Sequence, residues 1–176
     1  RENGLAIEFV QAEFPPLPFP DASFDRVFCK NVLEYVDSAS ATVAEMARVA
    51  APQGVVVAID SDWDMLALDL PARERSDRII AAAKSTAIKE PRVGRILFNL
   101  FRDAGLADVR VEVFAGADTT GRSAPMMRES LSRYAIDSGA VAETEVRQWL
   151  RDIDDAIAAG RFLFVLPQFV VRGIKT

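Results

Sequence analysis

Polar and aromatic side chains follow the apolar runs of this sequence, at the points where strands are predicted to end. Glu13 and Asn31 each follow one such run, and Asp60, Asp62 and Trp63 follow another. Open α/β sheets bind ligands beyond the carboxyl ends of their strands. A carboxylate here can accept a proton from a ligand, and Trp63 offers a flat apolar wall. The pattern predicts a site that orients a small molecule; the alternative is a solvated acidic loop with Trp63 packed on the core.

A strand–helix–strand order positions these side chains. Apolar runs rich in β-branched and aromatic residues predict strands over Leu5–Val10, Arg26–Lys30 and Val55–Ile59. Prolines between Pro15 and Pro20 exclude helix and interior strand from the first connection. Asp37–Ala51 has a helical apolar stripe, with Asp37 or Ser38 as its cap. This order predicts a parallel sheet with right-handed crossovers.

Helices dominate the rest of the chain. Alternation predicts a strand over Asp108–Phe114, and Arg161–Lys175 holds the last strand, which Pro167 either breaks or bulges. The predicted helices are Ala72–Ile88, Val93–Ala104, Pro125–Ser138 and Glu143–Ala159.

Composition excludes several classes of protein. The 176 residues fit one domain, and no apolar run is long enough to cross a bilayer. A net charge of −5 with scattered basic residues argues against nucleic acid as a partner. There is no histidine, so the commonest metal ligand and general base is absent, and no metal site is expected. Because Cys29 is the only cysteine in the sequence, a disulfide framework within the chain is excluded, and a reducing cytoplasm is the favoured location.

The central stretch resembles a known family. The sequence from Gln11 to Val36 is QAEFPPLPFPDASFDRVFCKNVLEYV. It is similar to the middle of class I S-adenosylmethionine-dependent methyltransferases of the small-molecule and quinone branch, which carry an acidic residue after the third strand and then an "LPFPD-x-SFD" loop. The resemblance implies a Rossmann-like, doubly wound α/β fold. Its sheet would be mostly parallel, with an antiparallel C-terminal edge pair and helices on both faces.

The resemblance also implies a cofactor site for S-adenosylmethionine. Glu13 would accept a hydrogen bond from the adenine amino group, and the backbone N–H of Phe14, next to Ala12 and Glu13, would meet a ring nitrogen. Asn31, with Val32 and Leu33, would line the methionine part of the cofactor. The alternatives are a solvated carboxylate at Glu13, and core packing for Val32 and Leu33.

The implied acceptor side comprises five residues. Tyr35 matches the position near the transferred methyl group in relatives, and it either orients an acceptor or simply packs. Asp60 or Asp62 would take up a proton where the acceptor must lose one. The predicted acceptor-site residues are Tyr35, Asp60, Asp62, Trp63 and Tyr134.

The implied activity is transfer of a methyl group from the sulfonium to a small, apolar acceptor by in-line displacement. Orienting donor and acceptor can supply about 7–11 kcal/mol in favourable cases, and the reaction needs neither a metal nor a strong acid. A second hypothesis is a catalytically degenerate, Rossmann-like binding or regulatory protein. A hydrolase or dehydrogenase is the weakest alternative, because neither G-x-S-x-G nor G-x-G-x-x-G occurs.

The beginning of the chain departs from the resembled pattern. Relatives have two earlier strands and a glycine-rich loop, whereas this sequence starts at Arg1 and contains no G-x-G-x-G. We expect residues 1–176 to be one domain that lacks an N-terminal segment of the real protein; the alternative is a degenerate fold. Without that segment Arg26–Lys30 becomes an edge strand, which is prone to pair with another chain and would favour a homodimer.

Two predicted helices separate the last two predicted strands. A hairpin does not need so much intervening chain. We therefore expect residues 124–159 to form a helical insertion that covers the ligand end of the sheet as a lid. The alternatives are that these helices cover the sheet itself or form a dimer contact.

Overall fold

The computed structural model describes residues 7–12 and 15–176. The strands are β1 (Phe24–Lys30), β2 (Ala50–Ser61), β3 (Ala67–Asp69), β4 (Leu106–Phe114), β5 (Leu163–Val165) and β6 (Gln168–Lys175). The helices are α1 (Ala39–Val49), α2 (Arg73–Ala87), α3 (Val93–Asp103), α4 (Ala124–Met126), α5 (Ser132–Asp137) and α6 (Glu143–Ala158). A 3₁₀ turn occupies Trp63–Met65, and a π-helical turn over Met127–Leu131 joins α4 to α5. Within the described ranges, no helix is both long and apolar enough to cross a membrane.

The main sheet has the order β1-β2-β6-β4. β1 and β2 are parallel, with Val27 opposite Val56, and α1 makes the crossover between them. β6 is antiparallel to both β2 and β4, so the C-terminal strands form the expected antiparallel edge pair. The α/β fold class predicted from the sequence is confirmed. Pro167 breaks the last predicted strand into β5 and β6, because proline has no N–H to donate to a ladder.

The apolar core of the main sheet lies on one of its two faces. Alternate residues of β2, Val56 and Ala58, are fully buried and join a single apolar cluster with α1 and α3. The side chains between them, such as Val57, are only half-buried, and their neighbour Phe28 on β1 is 63% exposed. Within the described ranges, the helices that contact the sheet all lie on the first face, and the outer edge of β1 has no paired strand.

A second apolar cluster lies outside the main sheet. It is built from α2, the π-helical turn, α5 and α6, together with β5, which pairs with β3 in a small two-stranded sheet. Trp149 of α6 is fully buried at its centre, and its indole N–H donates to the Ser76 hydroxyl at 3.2 Å. The helices that the sequence analysis assigned to a lid therefore share a core with α2.

The strand predicted over Leu5–Val10 is not found where the structure describes it. Residues 7–10 have no regular structure, and Phe9 is 90% exposed. A strand requires a hydrogen-bonding neighbour, and no described strand lies beside this segment. Leu5 and Ala6 lie outside the described residues.

Helix α1 begins as the sequence predicts. The Ser38 hydroxyl accepts the backbone N–H of Ala41 at 3.1 Å, so Ser38 is the cap. This bond satisfies one of the free N–H groups of the first turn. The helix then leads directly into β2 and brings that strand beside β1.

Gly94 sets the approach of α3 to the end of β2. A Cβ atom at Gly94 would lie 2.7 Å from Cδ2 of Phe169 and 3.1 Å from the carbonyl carbon and oxygen of Ser61. The backbone of Ser61 cannot move aside as a flexible side chain could. Alanine favours a helix over glycine by about 1 kcal/mol, whereas overpacking costs about 1–3 kcal/mol, so the steric term dominates.

We expect Gly94→Ala to lower the free energy of unfolding by about 1–2 kcal/mol, measured by urea denaturation. Asn99→Ala on the exposed side of the same helix is the control, and it should match the wild type or exceed it slightly. Equal stability of Gly94→Ala and the wild type would contradict the close packing of α3 on β2.

Candidate functional site

Asn31 lies immediately beyond the carboxyl end of β1. Its φ of 52° is in the left-handed region, which asparagine tolerates better than most residues. Its backbone N–H donates to the carbonyl of Ile59 at 2.9 Å, and its side-chain oxygen accepts the amide of Gln168 at 2.9 Å. Asn31 is exposed and lies at the edge where β1, β2 and β6 meet.

The Asp60 carboxylate ties the end of β2 to the loop that follows β1. Its Oδ2 atom accepts the backbone N–H of Leu33 at 2.8 Å and that of Val32 at 3.2 Å, and its Oδ1 atom accepts the N–H of Ser61 at 3.1 Å. Asp60 is fully buried. Burial raises its pKa, and these backbone hydrogen bonds oppose the rise because they favour the ionised form.

Asp62, which is fully buried, forms an ion pair with Arg95, whose side chain is 38% exposed. Arg95 donates to both carboxylate oxygens, from Nη2 to Oδ1 at 2.7 Å and from Nε to Oδ2. Oδ1 also accepts the backbone N–H of Asp64 at 3.2 Å, which caps the 3₁₀ turn that contains Trp63. Asp62 thus fixes the position of Trp63 and links β2 to α3.

Glu34 is a third buried acid at this edge, and only 2% of it is exposed. The indole N–H of Trp63 donates to its Oε2 atom at 2.7 Å, and its backbone carbonyl accepts the N–H of Lys89 at 2.8 Å. Burial raises the pKa of the Glu34 carboxyl to about 7; hydrogen bonds from Tyr35 and Trp63 oppose the rise, and the charge of Asp60 adds to it.

A small cavity of about 90 Å³ opens beside Trp63. Its aromatic walls are Tyr35, Trp63 and Tyr134, and the rest is mainly apolar surface of α2 and of the π-helical turn. Such turns are frequent at functional sites. The cavity lies where the sheet meets the helical cluster, and it suits a small apolar group.

The predicted acceptor-site residues divide into two groups. Tyr35, Trp63 and Tyr134 come together around the cavity. Asp60 and Asp62 do not line it; both are fully buried behind it and already hold hydrogen bonds. The sequence analysis did not predict Glu34 as a site residue, because a single acid in an apolar run is usually solvent-exposed. The one sign of its role in the sequence is that an acid stands between Leu33 and Tyr35.

The predicted cofactor residues lie at the strand edge where they are described. Asn31 and Val32 are exposed, whereas the Leu33 side chain is fully buried in the sheet core. Ala12 is exposed. Glu13 and Phe14 lie outside the described residues, so their part in the site stays a prediction.

Removing Arg95 should expose the cost of the buried Asp62 charge. We expect Arg95→Met to lower the free energy of unfolding, because the buried Asp62 carboxylate loses its cation. The double variant Asp62→Asn/Arg95→Met should recover a large part of this loss. Arg102→Met, an exposed arginine on the same helix, is the control for urea denaturation. If the stability losses of Asp62→Asn and Arg95→Met simply add in the double variant, the coupling between Asp62 and Arg95 is contradicted.

Glu34 should make stability depend on pH. Its carboxyl ionises near 4.5 when unperturbed and near 7 in the fold, so the folded state binds the extra proton between these values. The free energy of unfolding should therefore fall as pH rises through this window, by about 1–3 kcal/mol.

Urea denaturation at about pH 5 and about pH 8 measures this change. Glu34→Gln should flatten the dependence, and Asp77→Asn, which removes an exposed carboxylate from α2, should leave it as in the wild type. If the stability of Glu34→Gln depends on pH as strongly as that of the wild type, Glu34 is not the group responsible for the pH dependence.

Residues 1–58 match the methyltransferase domain family. The matched range ends within β2, so it includes β1, α1 and the loop that carries Asn31 and Glu34.

Curated relatives extend the likeness along the chain. An uncharacterised protein in transposon Tn4556 of Streptomyces fradiae is 29% identical over 174 residues, 97% of this chain and 49% of that protein. The ubiquinone/menaquinone biosynthesis C-methyltransferase of Desulfotalea psychrophila is 28% identical over 128 residues, 65% of this chain and 52% of that enzyme. A fatty-acid O-methyltransferase of Mycolicibacterium smegmatis is 31% identical over 87 residues, 46% of this chain and 32% of that enzyme. The chain spans about half the length of these relatives, or less.

Solved structures share the fold. A Bacillus halodurans protein described as a candidate methyltransferase has a TM-score of 0.57 at 15% identity, covering 96% of this chain and 78% of that one. The YcgJ protein of Bacillus subtilis has a TM-score of 0.52 at 18% identity, covering 90% and 67%. The chain is therefore similar in sequence to methyltransferases, over residues 1–58 and along the curated relatives, and it shares the fold of the two solved structures.

Proposed function

We propose that this protein transfers a methyl group from S-adenosylmethionine to a small, apolar acceptor by in-line displacement. The observation that carries the proposal is the methyltransferase domain match, which covers the end of β1, Asn31 and the loop as far as Tyr35 in the wall of the aromatic cavity. The proposed cofactor edge and the acceptor cavity would then be joined by one short loop, residues 31–35.

The exposed edge at Asn31 is the proposed place for the methionine part of the cofactor. Its side chain is held by Gln168, and Val32 beside it is also exposed. Ala12, Glu13 and Phe14 are proposed to hold the adenine, as in the resembled family. Leu33 contributes through its backbone position, since its side chain belongs to the core.

The residues of the chain would act mainly by orientation. The sulfonium charge already activates the methyl group as an electrophile, so aligning it with the acceptor is the principal task, worth about 7–11 kcal/mol in favourable cases. Tyr35, Trp63 and Tyr134 would hold the acceptor against apolar surface. Residues 124–159, which share a core with α2, are proposed to cover the bound acceptor as a lid.

The acceptor class follows from the cavity. A volume of about 90 Å³ with aromatic walls suits a small group or a single ring. Two of the curated relatives are named for O-methylation of fatty acids and for C-methylation in quinone biosynthesis, so the methylated atom is not shared within the family. The free, half-buried Cys29 fits a reducing compartment, and we propose the cytoplasm.

A second candidate is a degenerate binding or regulatory protein. Cofactor binding with turnover distinguishes the methyltransferase from this candidate.

We expect calorimetric titration of the full-length protein with S-adenosylmethionine to give saturable heat, and S-adenosylhomocysteine to compete. Asn31→Gly should weaken binding about tenfold, because it removes one hydrogen-bonding side chain while tolerating the positive φ. Asn99→Ala, an exposed asparagine on α3, should bind as the wild type does. No heat and no competition would contradict the methyltransferase proposal, and binding without turnover on any acceptor would favour the second candidate.

A further inference from the structure

We propose that Glu34 is a specificity-determining residue that makes the cavity select uncharged, apolar acceptors over carboxylates and other anions. The inference rests on the proposed function for its biological meaning. Its physical content, which is the charge preference of the cavity, holds whether or not a methyl group is transferred.

Glu34 is connected directly to the cavity wall. Its Oε2 atom accepts the indole N–H of Trp63 at 2.7 Å, and Trp63 is itself one wall of the cavity. The next residue, Tyr35, lines the mouth. The carboxyl therefore lies immediately behind the aromatic surface that an acceptor would contact.

The charge of Glu34 has no cation in contact to offset it. Among the described hydrogen bonds and ion pairs, its carboxyl receives the Trp63 indole N–H, and the neighbouring Asp60 carboxylate receives backbone N–H groups. Asp62, the third buried acid, is instead neutralised by Arg95. An anion in the cavity would thus meet net negative charge from the Glu34–Asp60 pair.

The two lysines beside the cavity and Glu34 are each paired with another acid, whereas Arg133 of α5 lies over the Tyr134 ring, 4.8 Å from its centroid. Lys84 lines the cavity from α2, but its Nζ atom lies 2.6 Å from Asp64. Lys89 gives Glu34 only its backbone N–H, and its side chain pairs with Asp37 at 3.0 Å. Neither lysine supplies a free charge for an anionic acceptor.

The preference should strengthen as pH rises. The groups that face the Glu34 carboxyl are Asp60 from β2, Tyr35 and Trp63, with Tyr134 of α5 close to Tyr35. Burial also raises the pKa of Tyr35, so its phenol stays neutral over the working range. Glu34, with a pKa of about 7, changes charge within that range. Above it, the ionised Glu34 carboxylate adds a negative charge behind the wall.

The size of the effect follows from Coulomb's law. Two like charges about 7 Å apart at an effective dielectric constant of about 20 repel by roughly 2 kcal/mol. That corresponds to a factor of about ten or more in affinity. An uncharged ligand of the same shape experiences no such term.

The test compares two single-ring probes of similar shape in calorimetric titrations of the full-length protein without cofactor. 4-Methylphenol is uncharged at both about pH 6 and about pH 8, and 4-methylbenzoate is anionic at both. In the wild type, we expect 4-methylphenol to bind equally at the two pH values and 4-methylbenzoate to bind about tenfold more weakly at the higher one.

Glu34→Gln keeps an oxygen for the Trp63 indole N–H but removes the charge, so the pH difference for 4-methylbenzoate should disappear. Asp77→Asn, which removes an exposed carboxylate of α2, should retain it. Circular dichroism confirms that the variants are folded. If Glu34→Gln fails to fold, a pH series on the wild type between about pH 6 and about pH 8 tests the same point: the affinity for 4-methylbenzoate should fall with a midpoint near 7, the pKa of Glu34, and an affinity that stays flat would overturn the proposal.

Equal pH dependence in Glu34→Gln and the wild type, or failure of both probes to bind, would overturn the proposal. Because the titrations contain no S-adenosylmethionine, they fail or succeed independently of the proposed methyl transfer. A protein that shows the charge preference but binds no cofactor would overturn the proposed function alone.

Discussion

The hydrogen bonds from the loop after β1 to Asp60 are the interaction on which the site depends. Asp60 is at the end of β2, and its carboxylate receives the backbone N–H groups of Val32 and Leu33. A fully buried carboxylate is tolerated only where such donors are present. The bonds hold the loop in one conformation, and that conformation places Asn31 outward on the sheet edge, Leu33 inward in the core, and Glu34 and Tyr35 beside Trp63.

The cavity exists because two separately packed parts meet at this loop. The sheet, with α1 and α3, has one apolar cluster, and the helical part has another. The turn at Trp63–Met65 lies between them, held by Asp62 and, through Arg95, by α3. Gly94 allows α3 to come close enough for that ion pair. The turn at Trp63–Met65 forms the sheet side of the cavity, and the π-helical turn forms part of the opposite side.

Sequence patterns predicted the elements well where each pattern is local. Helices α1, α2, α3 and α6 and strand β4 fall within a few residues of the predicted ranges, because amphipathic spacing and capping depend on near neighbours. The strand over Leu5–Val10 was not found in its described part, since a strand depends on a partner elsewhere in the chain. Glu34 was missed for the same reason: its partner, Trp63, is 29 residues away, and an acid amid apolar residues gives no local sign that a distant indole will accompany it.

Three buried acids at one strand edge are an unusual concentration of charge for a protein to retain. The burial of Asp62 is compensated by its ion pair with Arg95, and Asp62 also caps the turn at Trp63–Met65. The burial of Asp60 is compensated by the backbone N–H groups of the loop that it holds. Glu34 supports less structure than either, because its side chain binds only Trp63 and its immediate surroundings, and glutamine would keep an oxygen for the Trp63 indole N–H. Buried groups with strongly raised pKa values concentrate at functional sites for this reason. The balance therefore favours a role for the Glu34 charge at the cavity rather than in the stability of the fold.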